Sequence, residues 1–319
     1  MNDSITIGHN DFKYKIVSGW GILPFSKFPV KDCHEMIIDS RGLLYMLTND
    51  THNNILIYNK DGKLKGVWGK AYPGAHGLTI TNENGRELLF ITDCERHQVI
   101  KTTLSGKEVM ILDYPKETGV YSSQVEYKPT ETAIASNGDI YVTDGYGLQY
   151  VIQYNYRGKY VMHWGGIGEE DDQFDCAHGI TLDKRDPSNP SLLITSRNQN
   201  AWKRFTMDGI YISTVHLPGS FVCRSVIHDQ NIYGAVFRSE SNHNPESGYI
   251  IILDKDNKVI SAPGGSEPVY EDEKLLPLKK EGNLFIHPHD VCVDDEENLY
   301  IPQWNSHGTY PIKLERINY

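Results

Sequence analysis

Long hydrophobic runs are missing from this chain: no stretch approaches the ~18 apolar residues of a membrane-spanning helix, so no membrane partner is expected. The first 30 residues show no basic head followed by an apolar core, so no signal peptide is read there. Basic charge is in deficit. Lys and Arg total 31 against 42 Asp and Glu, a net charge of −11, which disfavours binding a phosphate backbone and excludes nucleic acid as an expected partner. Cysteine is sparse: Cys33, Cys94, Cys176, Cys223 and Cys292 form no CxxC pair. An odd, scattered set of this kind points to reduced thiols and a cytoplasmic location. No segment carries a long apolar stripe of 3.6-residue period, so helices are not expected. What is present is ordinary globular composition, 39% hydrophobic and 23% charged, with 13 histidines whose placement directs the functional reading.

One unit recurs along the chain. A short apolar strand is followed by a turn, a second strand of the type LLY or IYV, and a third strand ending near an Asp-Gly or Asn-Gly-like turn. Units begin near residues 34, 76, 130, 178, 223 and 289, the fifth being the weakest. Six such units, rich in β-branched and aromatic residues between turn signals, predict an all-β fold: a six-bladed β-propeller occupying residues 1–319 as one domain. The last unit supplies only three strands before the chain ends. A Trp-Gly pair marks an outer-strand pattern at Trp68-Gly69 and Trp164-Gly165 and recurs early, at Trp20-Gly21. Residues 12–17 are therefore expected to add the outer strand of the last blade and so remove an exposed sheet edge. The long segment 259–288 is expected to be a lid or a passive flap at one channel mouth.

Aligned on their first strands, the six units place His34, His76, Thr130, His178, Cys223 and His289 at one position. Inner strands line a propeller's central channel, so one repeat position becomes one ring around the axis. His76, His178 and His289 come from alternate blades, ~120° apart, and would converge as a three-histidine site with open positions, the common form of catalytic zinc. Imidazole also suits iron, copper or nickel, so another divalent transition metal stays open. His34 shares the ring but breaks the alternation; a fourth ligand, a proton-transfer group and a packed side chain are equal readings.

Five segments, GAHGLTI (74–80), TDGYGLQYVIQYNYRGKYVMHWG (143–165), FDCAHGITLD (174–183), SRNQNAWKRF (196–205) and HPHDVCVD (287–294), resemble the peptidyl-α-hydroxyglycine α-amidating lyases, within the wider NHL-repeat propeller class. The resemblance spans about residues 30–317. It implies a zinc ion on His76, His178 and His289, and a structural calcium on the backbone carbonyls of Met36 and Leu78 with the carboxylate of Asp290. It further implies that Tyr146 acts in proton transfer and that Arg197 matches a family arginine. The chain departs from the family in two places. An arginine expected near Thr48 or Asn49 is absent, and Gly147 stands where the family has a cysteine.

These residues imply a metal-dependent lyase-like enzyme acting on a small hydroxy or keto compound, such as a sugar derivative, in the channel. Catalytic candidates are Tyr146, Arg197 and His34. Arg224, His287, Gln303 and Trp304 are candidate substrate contacts, Arg224 as a replacement for the missing arginine and Trp304 as a platform for a sugar face. A metal-dependent hydratase or isomerase uses the same groups. A non-catalytic propeller binding a protein or glycan on its rim is the other reading. Nothing in the pattern fixes oligomeric state.

Overall fold

The computed structural model describes residues 6–317; the outermost residues of the expected 1–319 unit lie outside them. Six antiparallel sheets are arranged as a six-bladed β-propeller. Blades one to five each hold four strands in chain order, within residues 33–68, 75–112, 131–165, 180–216 and 220–261. Blade six is assembled from both ends of the chain. Cys292–Val293, Leu299–Ile301 and Ile312–Arg316 continue into Phe12–Val17 and then Thr6–His9. Ile16 faces Leu314 and Val17 faces Lys313 across the closing pair. The expected closure by residues 12–17 is therefore present, with a fifth strand outside it. That extra strand is braced on blade five, where the backbone N–H of His9 donates to Ser261 Oγ at 2.8 Å.

The third and fourth strands of each blade meet in a recurrent hairpin. In Asn59–Lys63, Thr103–Lys107, Asn155–Lys159 and Thr206–Ile210 the first residue's N–H donates to the last residue's carbonyl. The fourth position is Gly62, Gly106, Gly158 or Gly209, with φ between 73° and 86°. A left-handed residue followed by a register shift is a type I turn with a G1 bulge, so the near-invariant glycine follows from backbone sterics.

The same glycines explain the Trp-Gly pairs. Trp68, on the outer strand of blade one, donates its indole N–H to Leu104 O of blade two at 3.1 Å, and its ring lies where a Cβ on Gly106 would be, 2.6 Å away. The Trp164 ring covers Gly209 between blades three and four, 2.6 Å from where its Cβ would be, without an indole hydrogen bond. Trp20 does so across the closing seam: its indole donates to Lys60 O at 2.9 Å and lies 3.0 Å from a Cβ built on Gly62. Each tryptophan keys one blade to the hairpin of the next.

Between blades the seams are apolar. Tyr45, Leu47 and Ile55 of blade one pack on Leu78, Leu89 and Ile91 of blade two. Tyr14 of the closing strand joins Tyr233 and Ile250 of blade five and Leu299 and Leu314 of blade six. Only the end of the segment 259–288 returns to the channel wall, at His287, and the rest does not form a lid. Val259–Ser261 is the outer strand of blade five, and a small hairpin, Tyr270–Glu271 with Lys274–Leu275, sits on the outer seam of blades four and five, where Tyr270 Oη accepts from the N–H of Val259 at 2.6 Å. No helix among the described residues is long and apolar enough to cross a membrane.

The tryptophan key yields a paired test. Gly62 and Gly85 both have φ near 80°, yet a Cβ at Gly62 meets Gly21 N at 2.6 Å whereas Gly85 has nothing within 4 Å. Gly62→Ala is expected to cost about 1–3 kcal/mol more than Gly85→Ala in urea denaturation. Equal costs would show that the seam does not depend on this contact.

Candidate metal centre in the channel

The inner strands carry the site, and their irregularity shapes it. The ladder shifts register between Cys33 and Glu35 in blade one, between Ala75 and Leu78 in blade two, and between Val222 and Ser225 in blade five. A bulge breaks strict alternation and re-aims side chains. In these three blades two consecutive positions can then face the axis, and in blades three, four and six the corresponding positions stand at or before the start of the inner strand. The first gives His34, His76, Thr130, His178, Cys223 and His289, all buried. The next gives Glu35, Gly77, Glu131, Gly179, Arg224 and Asp290.

In the first ring four imidazoles meet. The ring centroids of His76, His178 and His289 form a nearly equilateral triangle, with separations of 4.7, 4.8 and 4.9 Å. His34 lies 4.8 Å from His76 and 4.7 Å from His289. Two donor sets, His34 with His76 and His289, and His178 with Cys223 and His289, each fit within 4.8 Å and could hold a metal ion. Cys223 is thus a possible sulfur ligand that the repeat alignment puts in the ring but does not mark as one.

Burial is the main reason the imidazoles stay neutral. It takes His34 down to about 3, with help from Arg197, and carries His76, His178 and His289 well below the ordinary range. Backbone carbonyls fix two tautomers. His76 Nδ1 donates to Thr130 O at 2.8 Å and His289 Nδ1 to His34 O at 3.0 Å, which leaves their Nε2 lone pairs free. His76 Nε2 lies 3.1 Å from His178 Nε2. Two neutral nitrogens at that distance call for a proton or a cation to relieve lone-pair repulsion. A tetrahedral ion with bonds of about 2.0–2.1 Å holds its nitrogens about 3.4 Å apart, so this pair stands close to the spacing a zinc-type ion needs.

Tyr146 reaches the cluster from the loop that follows the second strand of blade three. Its hydroxyl lies 3.1 Å from both His76 Nε2 and His178 Nε2, while its ring is partly open to solvent at the channel mouth. Asp144 anchors the loop, accepting N–H bonds from Lys128 and Leu148 at 2.6 Å and the Tyr121 hydroxyl at 2.9 Å. The flanking glycines are steric necessities. A Cβ on Gly145 would stand 2.3 Å from Ala177 O, and one on Gly147 would stand 2.1 Å from Asp144 Oδ1. Burial pushes the Tyr146 phenol above its ordinary range, with Arg197 pulling the other way.

Arg197 is buried at the start of a short 3-10 turn after the second strand of blade four. Its guanidinium donates to Cys223 Sγ at 3.1 Å and lies 4.4 Å over the Phe237 ring. Phe237 also carries the guanidinium of Arg238 at 4.9 Å, a second cation beside Arg197 that the repeat pattern does not single out. His287 and Trp304 complete this wall, with rings 5.6 Å apart and each about 6 Å from Phe237. Gln303 braces the preceding loop instead, its Oε1 accepting the Ile286 N–H at 2.8 Å. The blade-one position that lacks a basic residue is filled by Thr48 and Asn49, which tie down Lys31 and Asp32.

Two expectations need correction. Arg224 does not face a substrate space beside the histidines; it lies in the second ring with its side chain 12% exposed. There it donates from Nε and Nη2 to the two carboxylate oxygens of Asp290, both at 2.9 Å. The carbonyls of Met36 and Leu78, implied with Asp290 as calcium donors, do converge, but on this guanidinium, at 3.5 and 3.4 Å. With Arg224 in place these donors do not fit a calcium ion. The bulges are the physical reason: alternation alone would turn position 224 away from the axis.

All five cysteines are free thiols. No protein-family model matches the chain. It is 33% identical over 281 residues to peptidyl-alpha-hydroxyglycine alpha-amidating lyase 1 of Drosophila melanogaster, an alignment covering 80% of this chain and 47% of that protein. It is 24% identical over 234 residues to NHL repeat-containing protein 3 of Homo sapiens, covering 64% of this chain and 67% of that one. Among solved structures, a gluconolactonase from Xanthomonas campestris superposes with a TM-score of 0.62 over 100% of this chain and 99% of that one, at 11% identity, a likeness of fold alone. The chain spans about half the length of the Drosophila relative. It is a six-bladed β-propeller, homologous to the peptidyl-α-hydroxyglycine α-amidating lyases and the NHL repeat proteins.

Proposed function

We propose that this propeller is a metal-dependent lyase that cleaves a carbon–nitrogen bond in a small hydroxy compound bearing a carboxylate. The observation that carries the reading is the Tyr146 hydroxyl held 3.1 Å from two neutral imidazoles of a four-histidine cluster, with the Arg197 guanidinium at the same end of the channel. His76, His178 and His289 would hold the ion, for which zinc is the best match to a neutral imidazole set. When bound, such an ion supplies Lewis-acid polarisation of a substrate oxygen.

The rest of the chemistry belongs to the chain. In an N-acyl-α-hydroxyglycine the hydroxyl loses its proton, the oxygen's electrons form a carbonyl, and the bond from carbon to the amide nitrogen breaks. The nitrogen takes up a proton, so an amide and a glyoxylate-type product leave and no oxidant is consumed. Tyr146, as the phenolate that a bound ion and Arg197 would favour against the effect of burial, would accept the hydroxyl proton and return it to the nitrogen. Arg197, with Arg238 on the same Phe237 ring, would supply positive charge for the carboxylate. His287 and Trp304 form the wall against which the acyl portion packs.

Metal content tests the first half. Protein purified without an affinity tag is expected to carry a single transition-metal ion per chain by elemental analysis. His76→Ala, His178→Ala and His289→Ala are each expected to lose affinity for it at least ~10-fold, the scale of a disturbed metal shell. His34→Ala, which leaves the alternating triad intact, retains the ion. Metal-free wild type, or triad variants that keep their metal, would contradict the assignment.

Kinetics tests the second half. With an N-acyl-α-hydroxyglycine and glyoxylate release as the readout, Tyr146→Phe is expected to lower kcat about 10²–10⁴-fold with little change in KM. Arg197→Lys, which loses the planar fork, is expected to act mainly on KM. An unaltered kcat in Tyr146→Phe would remove the proton-transfer role.

A further inference from the structure

One residue below the histidines, the channel is closed by charge. Glu35, Glu131 and Asp290 come from blades one, three and six, and Arg224 from blade five, while blades two and four contribute Gly77 and Gly179. The glycines make room: a Cβ on Gly179 would stand 2.5 Å from Arg224 Cβ, and one on Gly77 would stand 2.5 Å from Thr130 O. All three carboxyls stitch neighbouring blades together, Glu131 Oε1 by accepting the Thr79 hydroxyl of blade two at 2.9 Å. Asp290 Oδ2 accepts the Met36 N–H at 3.0 Å, and Glu35 Oε2 accepts the Leu78 N–H at 2.5 Å. All three acids surround one guanidinium. Besides its paired bonds to Asp290, Arg224 lies 3.6 Å from Glu35 and 3.7 Å from Glu131.

We propose that the Arg224 guanidinium is a built-in cation that holds the blades together at the axis in place of a bound divalent ion, so that the fold of this chain does not depend on calcium. Its two carbonyl contacts, Met36 O and Leu78 O, and its carboxylate partner, Asp290, are oxygen donors of the kind a calcium ion takes. A planar fork meets a carboxylate in paired fashion and reaches carbonyls on either side, so one side chain substitutes for several metal bonds. The arrangement differs from a bound ion in one consequence. A covalently attached cation cannot be lost by dilution or chelation, so the closure survives where free calcium is scarce. Burial opposes the charge on Arg224, but Asp290, Glu35 and Glu131 outweigh it and hold the guanidinium well above its ordinary range. Burial pushes the Glu35 carboxyl well above its ordinary range, with Arg224 pulling it down and Glu131 adding to the rise.

The cage is reachable from the far mouth of the channel, where Ile37, Thr79, Thr132, Ile180, Thr181 and Arg224 line a recess of about 310 Å³. A small cation therefore has a path to it if the guanidinium is removed. Thermal melting of zinc-replete wild type and of Arg224→Ala, each with and without added calcium chloride, tests the idea. The wild-type melting temperature is expected to ignore calcium. Arg224→Ala is expected to melt about 5 °C or more below wild type without calcium, because three buried acids lose their counter-charge, and to recover with it. Terbium luminescence, used as a calcium probe, is expected to report a buried site in Arg224→Ala and none in the wild type. A wild type that calcium stabilises, or an Arg224→Ala that melts with the wild type or does not respond to calcium, overturns the proposal. If the variant does not fold, the wild-type response to calcium and terbium decides alone. Neither arm measures turnover, so failure here leaves the lyase reading untouched, and failure of that reading leaves this one standing.

Discussion

The centre of the molecule depends on two neighbouring residues from each blade sharing the axis. A regular strand sends successive side chains to opposite faces, so each blade would show the channel one side chain at a given height. The register shifts in blades one, two and five let neighbouring residues share the axis instead. Neutral imidazoles then stack directly above a charged plug, only one residue apart in sequence. Each layer benefits from the other. The plug closes the channel on one side and keeps water from the imidazoles. Arg197 adds positive charge on the other side, and burial with that charge keeps the rings deprotonated.

Such a centre requires blades that do not slide against one another. The outer hairpins meet this need with glycines whose missing side chains admit a neighbouring tryptophan, at Trp20, Trp68 and Trp164. The closing seam uses the same device. Trp20 is far from blade one's hairpin in the fold's construction, being an extension of blade six, yet it repeats the contact of its internal counterparts. Strand pairing between Phe12–Val17 and Ile312–Arg316 completes the ring, so the geometry of the histidines rests on joining the two ends of the chain.

The architecture was legible in the sequence because its signals repeat. Six copies of a strand-and-turn unit and three Trp-Gly pairs stand out without a structure, and the shared position of His34, His76, His178 and His289 follows from aligning the copies. Features that occur once were harder to read. The fifth strand of blade six has no counterpart in other blades. The segment after residue 259 looks like an insertion because blade five's outer strand, Val259–Ser261, is only three residues long. Arg224 was placed on the wrong side of the histidines because a bulge leaves no mark in a hydrophobic pattern; comparing position 224 with Glu35, Glu131 and Asp290, each one step past the ring position, is the signal that would have found the plug. Arg238 and Phe237 join Arg197 only through the folding of blade five against blade four.

The central claim is that imidazoles from every second blade grip one ion on the propeller axis. Diffraction from crystals of the untagged protein, recorded on both sides of the metal's absorption edge, measures this most directly. The account predicts a single anomalous peak at bonding distance from His76, His178 and His289 Nε2, above the Arg224 guanidinium. An anomalous map with no peak between those rings, from crystals grown with the metal in excess, would contradict it.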